Sequence, residues 1–259
     1  MLSIIMPARD EEGCIGSTLD ELTSTLRGEG IAYEVIVVDD GSGDRTRERV
    51  WRFTDPRVRL VENTGRHGYG MAVRAGLLHA TGDAVAIMMA DASDSSRDLV
   101  TYYRIFEQEH CCVFGSRFVR GGKVIDYPPH KLVLNRMANW FIKMIFGLHY
   151  NDITNAFKCY PRDAIEQMQP LISPHFNLTV EMPLKAIVRG FPYAVVPITW
   201  TNRKTGVSKL KIKEMGSRYL FIVLYLWLEK YLSRGDYKRA VPREAAIGAP
   251  AGKAGTDHV

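Results

Sequence analysis

No stretch of this chain approaches the roughly 20 consecutive apolar residues that a membrane-spanning helix needs. The longest run, Tyr219 to Leu228 (YLFIVLYLWL), is too short to cross a bilayer. Cysteine is sparse as well. Cys14, Cys111, Cys112 and Cys159 form neither a CxxC pair nor a zinc-type spacing, which argues against a disulfide scaffold or zinc module and fits a reduced, cytoplasmic compartment. The N-terminus opens directly as MLSIIMPARDEE, a strand-like run followed by acids, so no signal peptide is expected. Internal repeats are absent too. Negative charge is scarce in one region only: from Arg203 to Arg239 there are ten Lys or Arg against three Asp or Glu, a local charge of +7 in a chain of net +5. Such a region can meet nucleic acid, anionic lipid or a phosphorylated substrate. It lacks the aromatic platform of RNA-binding modules, so no nucleic-acid partner is expected.

What is present is a hydrophobic fraction of 46% in 259 residues, enough for a sizeable core. Four apolar runs recur in the first half: LSIIMPA, YEVIVVDD, VRLVEN and AVAIMMAD. They are rich in Val, Ile and Met without strict alternation, as strands buried on both faces are. Helical spacing falls between them, over Ile15–Arg27, Arg45–Phe53 and Gly70–His79, and again over Asp98–Glu109 before a fifth run, CCVFGSRF. Strand alternating with helix implies βαβ units and a mostly parallel sheet, an α/β fold. In the second half, helices are predicted over Asn135–Phe146, Leu178–Val188 and about Lys211–Leu232, and a strand over Phe191–Trp200. The expected organisation is a folded domain over 1–210, a basic, apolar C-terminal helix over 211–240, and an Ala/Gly/Pro-rich, disordered tail over 241–259.

In open α/β sheets, ligands sit beyond the carboxyl ends of the strands. The four strand ends read PARDEE, VDDGSGDRT, ENTGRHGYG and MADASD. A lone Asp at such a place more often caps the next helix or closes a turn. Four ends converging on acids, Arg66, His67 and flexible glycines point instead to a ligand crevice.

The motifs IIMPARDEE, EVIVVDDGSGDRT, GYGMAVRAGLLHATGD, MADASD, GSRFVRGGK, DITNAFKCY and NRKTGVSKLK occur in that order. Through them the chain, from about Leu2 to Leu232, resembles glycosyltransferase family 2, and within it the dolichyl- or polyprenyl-phosphate mannosyl- and glucosyltransferases. The resemblance implies a GT-A type nucleotide-sugar-binding fold with a C-terminal amphipathic or apolar helix. Pro7, Arg9, Glu11, Val38 and Asp40 would hold the base and ribose, with Asp39 fixing the loop. Ala90 and Asp91 would lie against the donor. Arg117, Lys131, Arg203 and Lys209 match positions that neutralise donor or acceptor phosphates. Asp152, Thr154, Asn155, Lys158 and Ser208 would shape the sugar and acceptor end. The family's Asp-x-Asp becomes Met89, Ala90 and Asp91 here, so Mg²⁺ or Mn²⁺ would rest on Asp91, with Ser93 or Asp94 assisting. Mg²⁺ commonly takes only one or two carboxylates, with phosphate oxygens and waters completing its shell.

A sugar hydroxyl acceptor needs a general base, and in the superfamily this comes from a later acidic motif, often with QxxRW. The chain has neither QxxRW nor a Glu-Asp pair, though Asp152 or Glu181 could serve. A lipid phosphate is already anionic and needs no base. The expected reaction is therefore an inverting transfer from GDP-mannose or a UDP-hexose to a polyprenyl phosphate at the cytoplasmic membrane face, with Asp91, Arg117 and Lys209 as the principal catalytic groups. Lys211, Lys213 and Arg218 before the last apolar run, and Lys230, Arg234, Lys238 and Arg239 after it, suit a helix lying peripherally on anionic lipid. The same helix could pack on the core, in a homo-oligomer or against a membrane partner protein. A hydroxyl acceptor, or a non-catalytic nucleotide-sugar-binding protein, are the competing readings.

Overall fold

The structure, a computed structural model, describes residues 1–202 and 212–239. Its first half winds β1 (Leu2–Ala8), α1 (Ile15–Gly28), β2 (Tyr33–Asp39), α2 (Thr46–Trp51), β3 (Val58–Glu62), α3 (Tyr69–His79), β4 (Ala84–Ile87) and α4 (Ser96–Glu109). The second half runs β5 (Cys112–Ser116), β6 (Lys123–Ile125), α5 (Pro129–Phe146), β7 (Lys158–Pro161), α6 (Arg162–Gln167), α7 (Leu178–Val188), β8 (Tyr193–Pro197), β9 (Thr199–Thr201) and α8 (Ile212–Leu232).

Seven strands form one sheet in the order β3-β2-β1-β4-β7-β5-β8. All pairings are parallel except those of β7, which lies antiparallel between β4 and β5. β6 and β9 make a separate parallel pair. Strand order reverses between β1 and β4, and a crevice at such a switch point is where α/β sheets bind ligands. Successive side chains of each strand go to opposite faces. Ile5, Ile36, Val38, Val85 and Ile87 pack on one side with α3, α7, α8 and the end of α5. Leu2, Ile4, Met6, Val35, Val37, Ala84 and Ala86 pack on the other with α1 and α4. A strand buried on both faces has no polar side to alternate with, which is why these runs read as continuous.

Several boundaries differ from the sequence expectation. β4 stops at Ile87 rather than running to Asp91, because the chain turns away to deliver Asp91 and Asp94. The expected strand Phe191–Trp200 divides at Ile198 into β8 and β9, which belong to different sheets. α5 begins at Pro129, six residues before Asn135, with Pro128 and Pro129 setting its start. β7 (KCYP) starts within the DITNAFKCY motif and ends one residue beyond it at Pro161; the motif carried no strand signal.

Candidate active site

At the β1–β4 switch point the strand-end loops are tied to one another by carboxylates. Asp39 accepts from the backbone N–H groups of Gly41 and Ser42 and lies 3.4 Å from Arg47, so it fixes the loop, as expected. Asp40 holds the loop between β3 and α3 at three points: Asn63 Nδ2 donates to it at 2.7 Å, Gly68 N at 2.9 Å, and His67 Nδ1 lies at 3.2 Å. Arg9 reaches it at 3.9 Å. A carboxylate has about four lone-pair positions, so Asp40 keeps room for one further donor. Asp10 adopts a left-handed backbone (φ 54°) and accepts from Gly43 N at 2.8 Å, locking the loop after β1 to that after β2. Glu11 N donates to Thr46 Oγ1 at 2.8 Å, and its carboxylate lies against Cys14 Sγ. Pro7 and Val38 face each other across β1 and β2. Both are buried, and Val38 packs in the core. With its side chain in the core, Val38 has its backbone rather than its side chain to offer a base or ribose.

Glycine sets the third wall. A Cβ on Gly70 would lie 2.2 Å from Ser173 O, and one on Gly68 would lie 2.4 Å from Pro174 O. Gly68 also needs φ 147°, a conformation that side chains resist. These two residues bring the start of α3 against the loop before α7.

Beyond β4, Ala92 takes a left-handed backbone (φ 58°) between Asp91 and Ser93. A non-glycine residue held there costs of order 1 kcal/mol and marks a constrained loop. The turn lets Asp91 Oδ1 accept from Ser93 N at 3.1 Å. Met89, in the place of the family's first acid, is partly buried against the core, and its N–H donates to Asp94 Oδ2 at 2.9 Å. Asp94 is thus folded back toward β4. Burial pushes its carboxyl up to about 7, with neighbouring Asp91 adding to the shift and the Met89 N–H opposing it. Ser93 is buried and its carbonyl accepts from Thr201 N at 3.1 Å, which ties the loop to β9. Among the described residues no group of three or more His, Cys, Asp or Glu side chains converges. This donor set does not fit zinc, which wants a protein cage. It fits Mg²⁺ or Mn²⁺ completed by diphosphate oxygens and water.

Arg117, at the end of β5, is paired with Asp152, 35 residues away in sequence. Its Nη2 and Nε donate to the two carboxylate oxygens at 2.6 and 2.8 Å, and its backbone N–H adds a third bond at 2.9 Å. Both residues are buried. Phe118, Trp200 and Tyr127 surround the guanidinium, with ring centroids 5.1, 5.7 and 6.0 Å from Cζ. Asp152 offsets the charge of Arg117. Thr154, two residues on, accepts at 2.9 Å from both Asn135 and Asn139 of α5, and Asn135 Oδ1 lies 3.5 Å from Arg117 Nη2. The sequence reading did not single out either asparagine. The available signal was two Asn spaced i, i+4 on the inner side of an apolar helix. Lys131 is half-buried in the first turn of α5.

Lys158 does not face the site. It is wholly buried in β7, where Nζ donates to the carbonyls of Ile153, Asn155 and Thr179, and burial pushes its pKa down to about 7. Its expected role at the acceptor end is replaced by a structural one. Asn155 likewise bonds backbone carbonyls, of Gly115 and Phe157. Glu181 accepts from Ile172 N and Ser173 N and pairs with Lys185 at 2.8 Å, fully buried. Arg203, Ser208, Lys209 and the tail over 241–259 lie outside the described residues. The chain is last described before them at Asn202, whose N–H donates to Ile125 O beside the Asp91–Asp94 loop.

The model of glycosyl transferase family 2 matches residues 3–168. Polyprenol monophosphomannose synthase of Mycolicibacterium smegmatis is 32% identical over 184 residues, 68% of this chain and 69% of that protein. Undecaprenyl-phosphate mannosyltransferase of Micrococcus luteus is 29% identical over 217 residues, 80% of this chain and 86% of the other. Glucosyl-3-phosphoglycerate synthase of Mycobacterium tuberculosis, solved with Mn²⁺, uridine diphosphate and phosphoglyceric acid, superposes with a TM-score of 0.68 at 16% identity, covering 88% of this chain and 78% of that one. The likeness in fold is to an α/β, GT-A-like architecture with a mostly parallel sheet.

Proposed function

The chain belongs to glycosyl transferase family 2 and is a glycosyltransferase, and from that membership we propose that it moves a sugar from a nucleotide-sugar to a polyprenyl phosphate with inversion at the anomeric carbon. The observation that carries the acceptor class is the state of the two carboxylates best placed in sequence to act as a base. Asp152 spends both oxygens on Arg117, and Glu181 is sealed in the core with Lys185. Neither can take a proton from a hydroxyl, and a phosphate needs no such help.

In this reading the donor lies along the crevice from Arg9, Glu11 and Asp40 to Asp91. Asp91 would hold a divalent cation, which supplies positive charge to the departing diphosphate. A phosphate oxygen of the acceptor attacks the anomeric carbon as its bond to the diphosphate breaks, so no proton need move. Arg117 is held by Asp152 through Nε and Nη2, which would make it a preorganised cation of the kind that stabilises charge in a transition state. Lys131 adds charge at the acceptor end, Thr154 shapes it, and Arg203, Ser208 and Lys209 are assigned there by the motif alone. The names of the two curated relatives favour mannose as the sugar. Among the described residues no helix is long and apolar enough to cross a membrane, which fits an enzyme meeting its lipid acceptor from the cytoplasmic surface, with the unit over 1–210 as catalyst and 211–240 as the lipid-side or subunit-side helix.

Transfer from a panel of GDP- and UDP-sugars to a short-chain polyprenyl phosphate, with Mg²⁺, with Mn²⁺ and with chelator, tests this. Metal-dependent product from one donor is expected. Transfer to a sugar hydroxyl with none to any lipid phosphate would overturn it. That outcome would favour a second reading, a hydroxyl acceptor served by Asp94, whose carboxyl is raised to about 7.

A further inference from the structure

β9 holds Trp200 between the two groups to which the reaction is assigned. On one side its backbone is fastened to the loop that presents Asp91: Trp200 forms a bridge with Asp94, and Thr201 N donates to Ser93 O at 3.1 Å. On the other side its ring centroid lies 5.7 Å from Arg117 Cζ. Tyr127 completes a corner. Asp126 takes a left-handed backbone (φ 57°) just after β6, a conformation that Asp tolerates better than most residues, and Pro128 restricts Tyr127 to extended backbone. The Tyr127 ring meets Trp200 nearly at right angles, with centroids 5.0 Å apart and planes at 74°. Phe118 is the third ring near Arg117, and it lies between two guanidinium groups, with Arg136 Cζ 4.5 Å from its centroid. Packing on Arg117 accounts for part of the Trp200 and Tyr127 surface, yet both rings stay half-buried. Aromatic carbon left open to water gains free energy when a ligand covers it.

We propose that Trp200, with Tyr127 at its edge, is the wall against which the transferred hexose stacks. Position selects that occupant. In the proposed reaction the bonds made and broken lie between a cation on Asp91 and the guanidinium of Arg117, and Trp200 is attached to the first and in contact with the second. The hexose, which carries the reacting carbon, therefore lies beside it. Chemistry agrees with position. A pyranose has hydroxyls around its rim and C–H bonds over its faces. The face of an aromatic ring carries partial negative charge, which attracts polarised C–H groups and keeps water from that side of the sugar. A few polar groups set among aromatic walls are how small-molecule sites fix orientation. Tyr127 can supply one of them. Burial raises its pKa, with the charge of Arg117 opposing, so its hydroxyl stays protonated and can donate to a sugar oxygen. The proposal rests on the nucleotide-sugar reading and adds which residues hold the sugar, independently of what accepts it.

The test is equilibrium dialysis of the full chain with GDP-mannose, UDP-glucose, GDP and UDP, in Mn²⁺ and without acceptor. Trp200→Leu removes the ring and Trp200→Phe keeps one. Trp51→Leu is the control, at an indole that is 70% exposed elsewhere. For the nucleotide sugar that the wild type binds, Trp200→Leu is expected to weaken affinity about five- to tenfold while leaving affinity for the matching free diphosphate unchanged. Trp200→Phe should retain most of the difference, and the control all of it. Thermal melting checks that each variant is folded. An equal loss for sugar nucleotide and free diphosphate would make Trp200 a brace for Arg117 and the metal loop, and would overturn the proposal. Unchanged binding of both, with affinity lost only for a short-chain polyprenyl phosphate, would overturn it too, by giving the corner to the acceptor. A wild-type protein that binds neither sugar nucleotide would sink the donor reading and this inference together. Binding is read without acceptor, so failure to transfer to any lipid phosphate would refute the acceptor reading and leave the hexose wall standing.

Discussion

Asn139 and Thr154 exchange two hydrogen bonds: Asn139 Nδ2 donates to Thr154 Oγ1 at 2.9 Å, and Thr154 N donates to Asn139 Oδ1 at 3.1 Å. The pair joins the inner side of α5 to the loop that holds Asp152 against Arg117. Asn139→Ala removes both bonds and leaves a backbone N–H without its partner, at a cost of about 1–3 kcal/mol. The loop then loosens around Arg117. Turnover should fall about tenfold or more, with the donor KM changed less than turnover. Steady-state kinetics beside a thermal melt will check it; unchanged turnover in a destabilised protein would make the pair purely structural.

Asp91 and Asp94 should separate cleanly on substitution. Asp91→Asn removes the carboxylate assigned to the cation, and a loss of about 10²-fold or more in turnover is expected, with weakened Mn²⁺ binding in the presence of donor. Asp94→Asn keeps an oxygen to accept from Met89 N and should cost less than about tenfold. Equal losses at both positions would show that Asp94 leaves Met89 to act directly.

Removing one partner of a buried ion pair strands the other. Asp152→Asn should destabilise the protein by about 3–5 kcal/mol, read by denaturant unfolding. The double variant Arg117→Met/Asp152→Leu should recover much of that stability and none of the activity. Recovery of activity would show that Arg117 only braces the fold.

Glu34 sets a pH limit remote from the site. Burial opposes its charge, but hydrogen bonds from Ser3, Thr81 and Arg59 outweigh burial and hold its pKa at about 2. A carboxyl depressed in the folded state contributes stability that is fully present above its unfolded pKa of 4.5 and is lost as pH falls toward 2. Unfolding free energy should therefore decline across that window. Glu34→Gln should be less stable at neutral pH and show a shallower decline. A wild-type slope unchanged by the substitution would remove Glu34 from the account.

Much of the site was legible where chemistry and chain order coincide. The acids at the ends of β1, β2 and β4 follow apolar runs directly, so a parallel sheet had to collect them at one edge. Asp39 closing its own loop, and Asp91 beyond β4, follow from the same pattern. Charge alone misled at Lys158. A lysine in sequence is read as a cation facing solvent or ligand, and only its burial among the carbonyls of Ile153, Asn155 and Thr179 shows otherwise.

Local sequence, through hydrophobic periodicity and residue chemistry, determined the parallel first half, the acid-lined edge and the shortness of the longest apolar run, Tyr219 to Leu228. Tertiary structure alone decided the rest. It inserted β7 antiparallel, because a four-residue strand carries too few residues to show a period. It paired Arg117 with Asp152 across 35 residues, because a long-range contact leaves no trace in either segment. It also turned α5 so that Asn135 and Asn139 face the site and Met137 and Trp140 face outward. A helix has no inside until the rest of the chain supplies one.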